Sequence, residues 1–273
     1  MFTNLCKNYK LNCMKVSTQS LSQRAFSLVE LSIVLVILGL LVGGVLSGQS
    51  LIRSAELRSI STDYSRYVAA VHSFRDKYFA LPGDMNNAQS FWGIQNATPA
   101  TCVNSASTTI ATCNGNGDGI IQQSAGSNES YRFWQQLANA GLIEGSYSGV
   151  QSATNAFSSS TANSPKGKIS STLWFVWNWA IPLSGEPAWF DGTYGNRMST
   201  GGSQADGEPG ASILTPAEIW NIDTKMDDGK PAQGKVWSQW LGCTDAANSA
   251  ALSASYVLTS ASKLCFPVFP NAF

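Results

Sequence analysis

One stretch constrains this chain more than any other. Residues Ala25–Gln49, AFSLVELSIVLVILGLLVGGVLSGQ, form a largely apolar run that carries a single charge, Glu30, near its start. About 20 helical residues, each rising about 1.5 Å, cover the roughly 30 Å of hydrocarbon in a bilayer, so the run predicts a membrane-crossing helix. A carboxylate in such a helix costs roughly 2.5–3.5 kcal/mol. A simple anchor has no use for it. A helix that later packs against identical helices does, because the carboxylate finds a partner there.

The residues ahead of the run sharpen the expectation. Met1–Arg24 contains Lys7, Lys10, Lys15 and Arg24 and no Asp or Glu. A basic, acid-free leader stays in the cytoplasm, which exports the rest of the chain. A secretory signal peptide places its small residues after the apolar segment. Here the small residue, Ala25, precedes it. The order of basic leader, Ala25, Phe26, Ser27, Leu28, Val29, Glu30 and apolar helix resembles the N-terminus of type IV prepilins and type II secretion pseudopilins.

That resemblance implies cleavage by a prepilin peptidase between Ala25 and Phe26, N-methylation of Phe26, and an assembly role for Glu30. Gly is usual before the cut, so Ala25 is a departure. The resemblance also implies other pilin or pseudopilin subunits and an inner-membrane assembly platform as partners. It puts the leader in the cytoplasm, one pass through the inner membrane with its lipid, and the head in the periplasm or, on a filament, at the cell surface. The expected fold is α+β, with a long N-terminal helix packed on a small antiparallel-sheet head with short helices. The corresponding organisation is a removed leader at 1–25, a polymerisation helix at 26–49, its amphipathic continuation at 50–81 and a globular head at 82–273.

Beyond Gln49 the helix is expected to continue. Leu51, Ala55, Leu57 or Arg58, Ile60 or Ser61, Tyr64, Val68, Val71, Phe74 and Tyr78 recur at mostly three- and four-residue steps up to the stop at Leu81-Pro82-Gly83. Gly39, Gly43 and Gly44 in the apolar half permit close helix packing. Charged residues make up only 12% of the chain, and 17 basic residues balance 17 acidic ones. Nothing in that balance points to a nucleic-acid partner.

Cys6 and Cys13 fall in the leader. Cys102, Cys113, Cys243 and Cys265 remain, an even number in an exported domain. Of the three possible connectivities, short loops favour Cys102–Cys113 and Cys243–Cys265.

Two acidic turns are candidate calcium sites. In the first, Asn114, Asn116 and Asp118 alternate, Gly119 follows, the carbonyl of Ile120 stands at the next ligand position, and Glu129 lies within reach. In the second, Asp223, Asp227 and Asp228 gather at a helix C-terminus, where carboxylates oppose the helix dipole and a cation would relieve them. Plain turns are the competing account of both.

Residues 129–141 read as an amphipathic helix with Phe133, Trp134 and Leu137 inward and Gly141 as its cap. Thr215-Pro216-Ala217-Glu218 is a capping box that opens another helix. STLWFVWNWAI, at 171–181, is the clearest strand, and its tryptophans are expected in the core rather than on a glycan-binding face. Further strands are expected near Lys235–Trp240 and Leu264–Phe269, and 191–212 reads as a loop. Enzyme readings are poor. One His, His72, excludes most triads, and GSYSG at 145–149 has Tyr where a nucleophile elbow needs Ser. The expected function is a structural subunit of a type IV pilus-like filament or type II secretion pseudopilus. The alternative is a minor, adhesin-like pilin whose head binds a glycan or another surface ligand.

Overall fold

The computed structural model describes residues 27–98, 102, 105–107, 109–123, 128–151, 159–179, 184–185, 188–204, 208–239 and 241–273. By chain contacts the molecule divides into two compact units, Met1–Ser50 and Leu51–Phe273. The described elements run in the order α1 (Leu28–Tyr78), α2 (Gln89–Trp92), α3 (Glu129–Asn139), β1 (Thr172–Trp179), β2 (Gly195–Gly202), α4 (Pro216–Met226) and β3 (Val268–Phe269). This is the α+β, pilin-like layout: a long N-terminal helix, short helices and a small antiparallel sheet.

Helix α1 is 51 residues long, with no proline to interrupt it. It ends where Phe79 takes a left-handed φ of 53°. In the second unit it buries Ile60, Asp63, Tyr67, Ala70, Val71 and Phe74. The buried stripe thus passes through Tyr67 rather than the expected Val68. Tyr67 meets Trp134 and Trp174 edge-on at ring distances of 5.0 and 5.3 Å, and Tyr64 stacks on Phe269 at 4.0 Å. One stripe of α1 therefore touches α3, β1 and β3.

The sheet order is β1-β2-β3, antiparallel throughout. Strand β2 corrects the expectation of a loop at 191–212. Its sequence, GNRMSTGG, lacks branched apolar residues, yet it pairs with β1 along the full register from Thr172↔Gly202 to Trp179↔Gly195. Its glycines serve close approach: a Cβ on Gly201 would sit 2.5 Å from the Pro209 carbonyl oxygen, and one on Gly195 2.2 Å from Asn271 Oδ1. The strand expected near 235–240 is reduced, among the described residues, to a single bridge, Trp237↔Val268.

Trp174 and Phe175 are buried in the core. Trp177 and Trp179, half-buried, surround Arg197 together with Trp189. The guanidinium carbon lies 5.2, 4.3 and 5.0 Å from the three ring centres, and Glu208 pairs with it at 2.5 Å. Disulfides join Cys102 to Cys113 and Cys243 to Cys265.

Candidate functional sites

Ala25 and Phe26 lie outside the described residues, which start at Ser27. Ser27 and Glu30 form a reciprocal cap on α1. The Val29 N–H donates to Ser27 Oγ at 3.2 Å, and the Ser27 N–H donates to Glu30 Oε2 at 2.9 Å. These bonds satisfy two N–H groups that a helix start leaves orphaned. Past them, large apolar side chains from Leu28 to Leu46 stand at least half exposed. A Cβ placed on Gly39, Gly43, Gly44 or Gly48 would meet nothing within 4 Å. The helix is long and apolar enough to cross a membrane.

The second acidic turn sits at the end of α4. This helix starts as its sequence dictates: Thr215 Oγ1 accepts from the Glu218 N–H, and Glu218 Oε2 accepts from the Thr215 N–H. Glu218 also grips Arg53 of α1 through bonds of 2.6 and 2.9 Å. Burial alone would raise the Glu218 carboxyl, but the bonds from Arg53 and Thr215 outweigh it and hold the pKa below the usual value.

At the other end, Asp223, Asp227 and Asp228 offer carboxylate oxygens within 4.8 Å of one another, a spacing that a metal ion can bridge. Asp223 is fully buried, and burial, with Asp228 and Asp227 adding to it, pushes its pKa up to about 7. The Tyr256 hydroxyl donates to its Oδ2 at 2.9 Å and the Gly229 N–H also stabilises the carboxylate, while its buried Oδ1 has no hydrogen bond of good geometry. An unsatisfied buried carboxylate oxygen beside two more carboxylates suits a hard cation. The exposed pair are partly engaged: Asp227 Oδ2 accepts from the Lys235 N–H, and Asp228 Oδ1 from the Lys230 N–H at 2.9 Å.

The first acidic turn has the opposite polarity. Asn114 Oδ1 faces α2, where it accepts from the Gln89 N–H. Asn116 Nδ2 donates to Asp118 Oδ2, and Asp118 Oδ1 accepts from the Ile120 N–H, both at 2.8 Å. Glu129 accepts from the N–H groups of Asn116 and Gln122 at 3.3 and 2.8 Å. Sequence reasoning missed the centre of this loop, Asp84. Its Oδ1 accepts from the Gly117 and Asp118 N–H groups, and its Oδ2 from the Gly119 N–H. N–H groups surround these carboxylates, whereas a cation site turns oxygens inward. Burial pushes Glu129 up to about 7 and raises Asp84, despite those hydrogen bonds. Only the Pro82-Gly83-Asp84 turn hinted at Asp84, and its partners lie more than thirty residues away.

Residues 21–46 match the family model described as the prokaryotic N-terminal methylation motif. No match was found among the curated proteins or among the solved structures. The matched segment holds Ala25, Phe26 and the Ser27–Glu30 cap, and its later residues lie on the exposed apolar part of α1. The chain therefore carries the prepilin-type N-terminal methylation segment that is the hallmark of type IV pilins and pseudopilins.

Proposed function

We propose that this chain is a structural subunit, not an enzyme, of a type IV pilus-like filament or a type II secretion pseudopilus. The carrying observation is the methylation segment at 21–46 on a helix whose large apolar residues are left exposed. Such a surface requires lipid before assembly and neighbouring helices afterwards. A prepilin peptidase cuts between Ala25 and Phe26 and methylates Phe26. The subunit waits in the inner membrane, leader in the cytoplasm and head in the periplasm, until the assembly platform adds it to other pilin or pseudopilin subunits. There Glu30 exchanges its own helix cap for the Phe26 amino group of a neighbouring subunit, a pairing favoured by low dielectric. Co-expression with a prepilin peptidase is expected to remove residues 1–25 and leave N-methylated Phe26 in the intact mass. An uncut chain, or a cut after the apolar segment, overturns the reading.

One feature favours the adhesin-like alternative. An open cleft of about 950 Å³ is lined by His72, Arg75, Asp76, Phe79, Asn86 and Asn196 among others, and Phe79 is 92% exposed on it. A free aromatic face beside polar side chains suits a sugar ring. Glycan binding that Phe79→Ala abolishes would establish this reading, and its absence would leave the filament role alone. Calcium, in either role, belongs at Asp223, Asp227 and Asp228.

A further inference from the structure

A groove of about 660 Å³ lies between α1 and α4, lined by Ser54, Leu57, Arg58, Ser61, Ile222 and Lys225 among others. Its chemistry is mixed: Leu57 and Ile222 are apolar, and Arg58 and Lys225 are exposed cations. Among the described residues, neither cation has a hydrogen bond or ion pair. The carboxylates Glu56 and Glu218 are both engaged by Arg53, at 2.9 and 2.6 Å. The groove therefore presents two positive side chains that are not held in an ion pair. Just before it in the chain, Leu51 and Ile52 are 71% and 63% exposed. They are the last exposed large apolar residues before a run of Arg53, Glu56 and Arg58.

We propose that this groove binds the phosphate headgroup of an anionic phospholipid, with the acyl chains against Leu51 and Ile52. Arg58 follows Ile52 by about 9 Å of helix, and a bilayer's polar layer is about 5–8 Å deep on each side. Helix side chains slant toward the N-terminus, so Arg58 leans back toward Ile52 and the headgroup plane. Its guanidinium meets phosphate oxygens in a fork, and Lys225 adds a point charge. The bound lipid would hold the head on the membrane surface until the subunit is drawn into a filament. The proposal rests on the membrane-anchored reading.

The test uses the full chain in neutral detergent micelles, offered phosphatidylglycerol and phosphatidylcholine and weighed by native mass spectrometry. Phosphatidylglycerol is expected to be retained in preference. The preference should fall roughly fivefold for Arg58→Gln or Lys225→Gln and about 25-fold for the pair. The charge-conserving pair Arg58→Lys with Lys225→Arg should lower it less than either Gln variant, since both charges stay and only the fork at 58 is lost. An unchanged preference in the double Gln variant overturns the proposal. So does an equal fall in Lys263→Gln, which would mean undirected surface charge, or displacement by excess inorganic phosphate, which would mean a free-anion site. The assay needs neither cleavage nor a filament. Its failure therefore leaves the filament reading standing, and a failure of processing leaves the lipid result legible.

Discussion

The two parts of α1 solve opposite problems with the same backbone. From Leu28 to Ser50 nearly every side chain is exposed, and the glycines face open space. From Leu51 to Tyr78 one stripe is sealed: Val71 and Phe74 have no exposed surface, and Tyr67 has 2%. In the second part, packing within the chain supplies the stability of the helix. In the first, among the described residues, the stabilising bonds are intrahelical ones and the Ser27–Glu30 cap. One helix can thus carry two kinds of information: which fold the head adopts, and what the chain joins.

The contrast breaks most sharply at Glu30. Glu30→Ala is expected to leave cleavage and head melting unchanged and to abolish or severely reduce incorporation into filaments, read by immunoblot of sheared filaments. Normal assembly would show that the carboxylate only caps its own helix. The mirror experiment is Phe74→Ala. It should cost the head roughly 3–5 kcal/mol, measured as thermal melting of the full chain in detergent, while Leu35→Ala leaves that melting point unchanged. If Leu35→Ala destabilises the head equally, the two parts of α1 are not energetically separate.

Calcium should have a smaller effect, confined to the second part. A ligand at a hundredfold excess over its Kd adds about 2.7 kcal/mol, roughly 5–10 °C of melting temperature in a domain of this size. Asp228→Ala should remove that gain and Asp118→Ala should not, given the N–H groups around the first turn. A melt indifferent to calcium would leave Asp223, Asp227 and Asp228 as a solvated turn.

pH is a separate lever on the second part. Burial lifts Glu129 and Asp223 to about 7, from ordinary values of 4.5 and 3.8. Between those limits the folded chain keeps protons that the unfolded chain has lost, so stability is fullest at the acidic end and declines as pH rises toward 7. We expect the melting temperature to fall as pH is raised from 5 to 8. Glu129→Gln should flatten the fall, and saturating calcium should flatten the share of Asp223. Melting that climbs with pH would contradict the burial of these carboxyls.

Much of this was legible because it is local. The apolar run, the stop signal at Leu81-Pro82-Gly83, the capping box at Thr215–Glu218 and the helix around Phe133 and Trp134 are local patterns, although the helix ends three residues before the proline signal, at Tyr78. What stayed hidden depends on distance. Strand β2 has no strand signature of its own; it is a strand because the Trp-rich β1 needs a partner and only glycines admit Pro209 and Asn271 so closely. Asp84 looked like a turn residue until the loop at 117–119 folded onto it. Arg53 and Glu218 stand 165 residues apart, and neither announces the other. At the acidic turns, residue types alone could not tell oxygens that converge from oxygens already taken by N–H groups.

The cation among the tryptophans has an optical consequence. Trp177 and Trp179 have ring centres 5.1 Å apart, Trp179 and Trp189 4.8 Å, and the Arg197 charge is fixed beside all three. Indoles this close, at fixed angles beside a fixed charge, couple their transitions and give a strong, signed near-ultraviolet dichroism. The edge where β1 meets β2 thus carries a built-in chromophore, and opening that edge can be followed in unlabelled protein by the decay of one band.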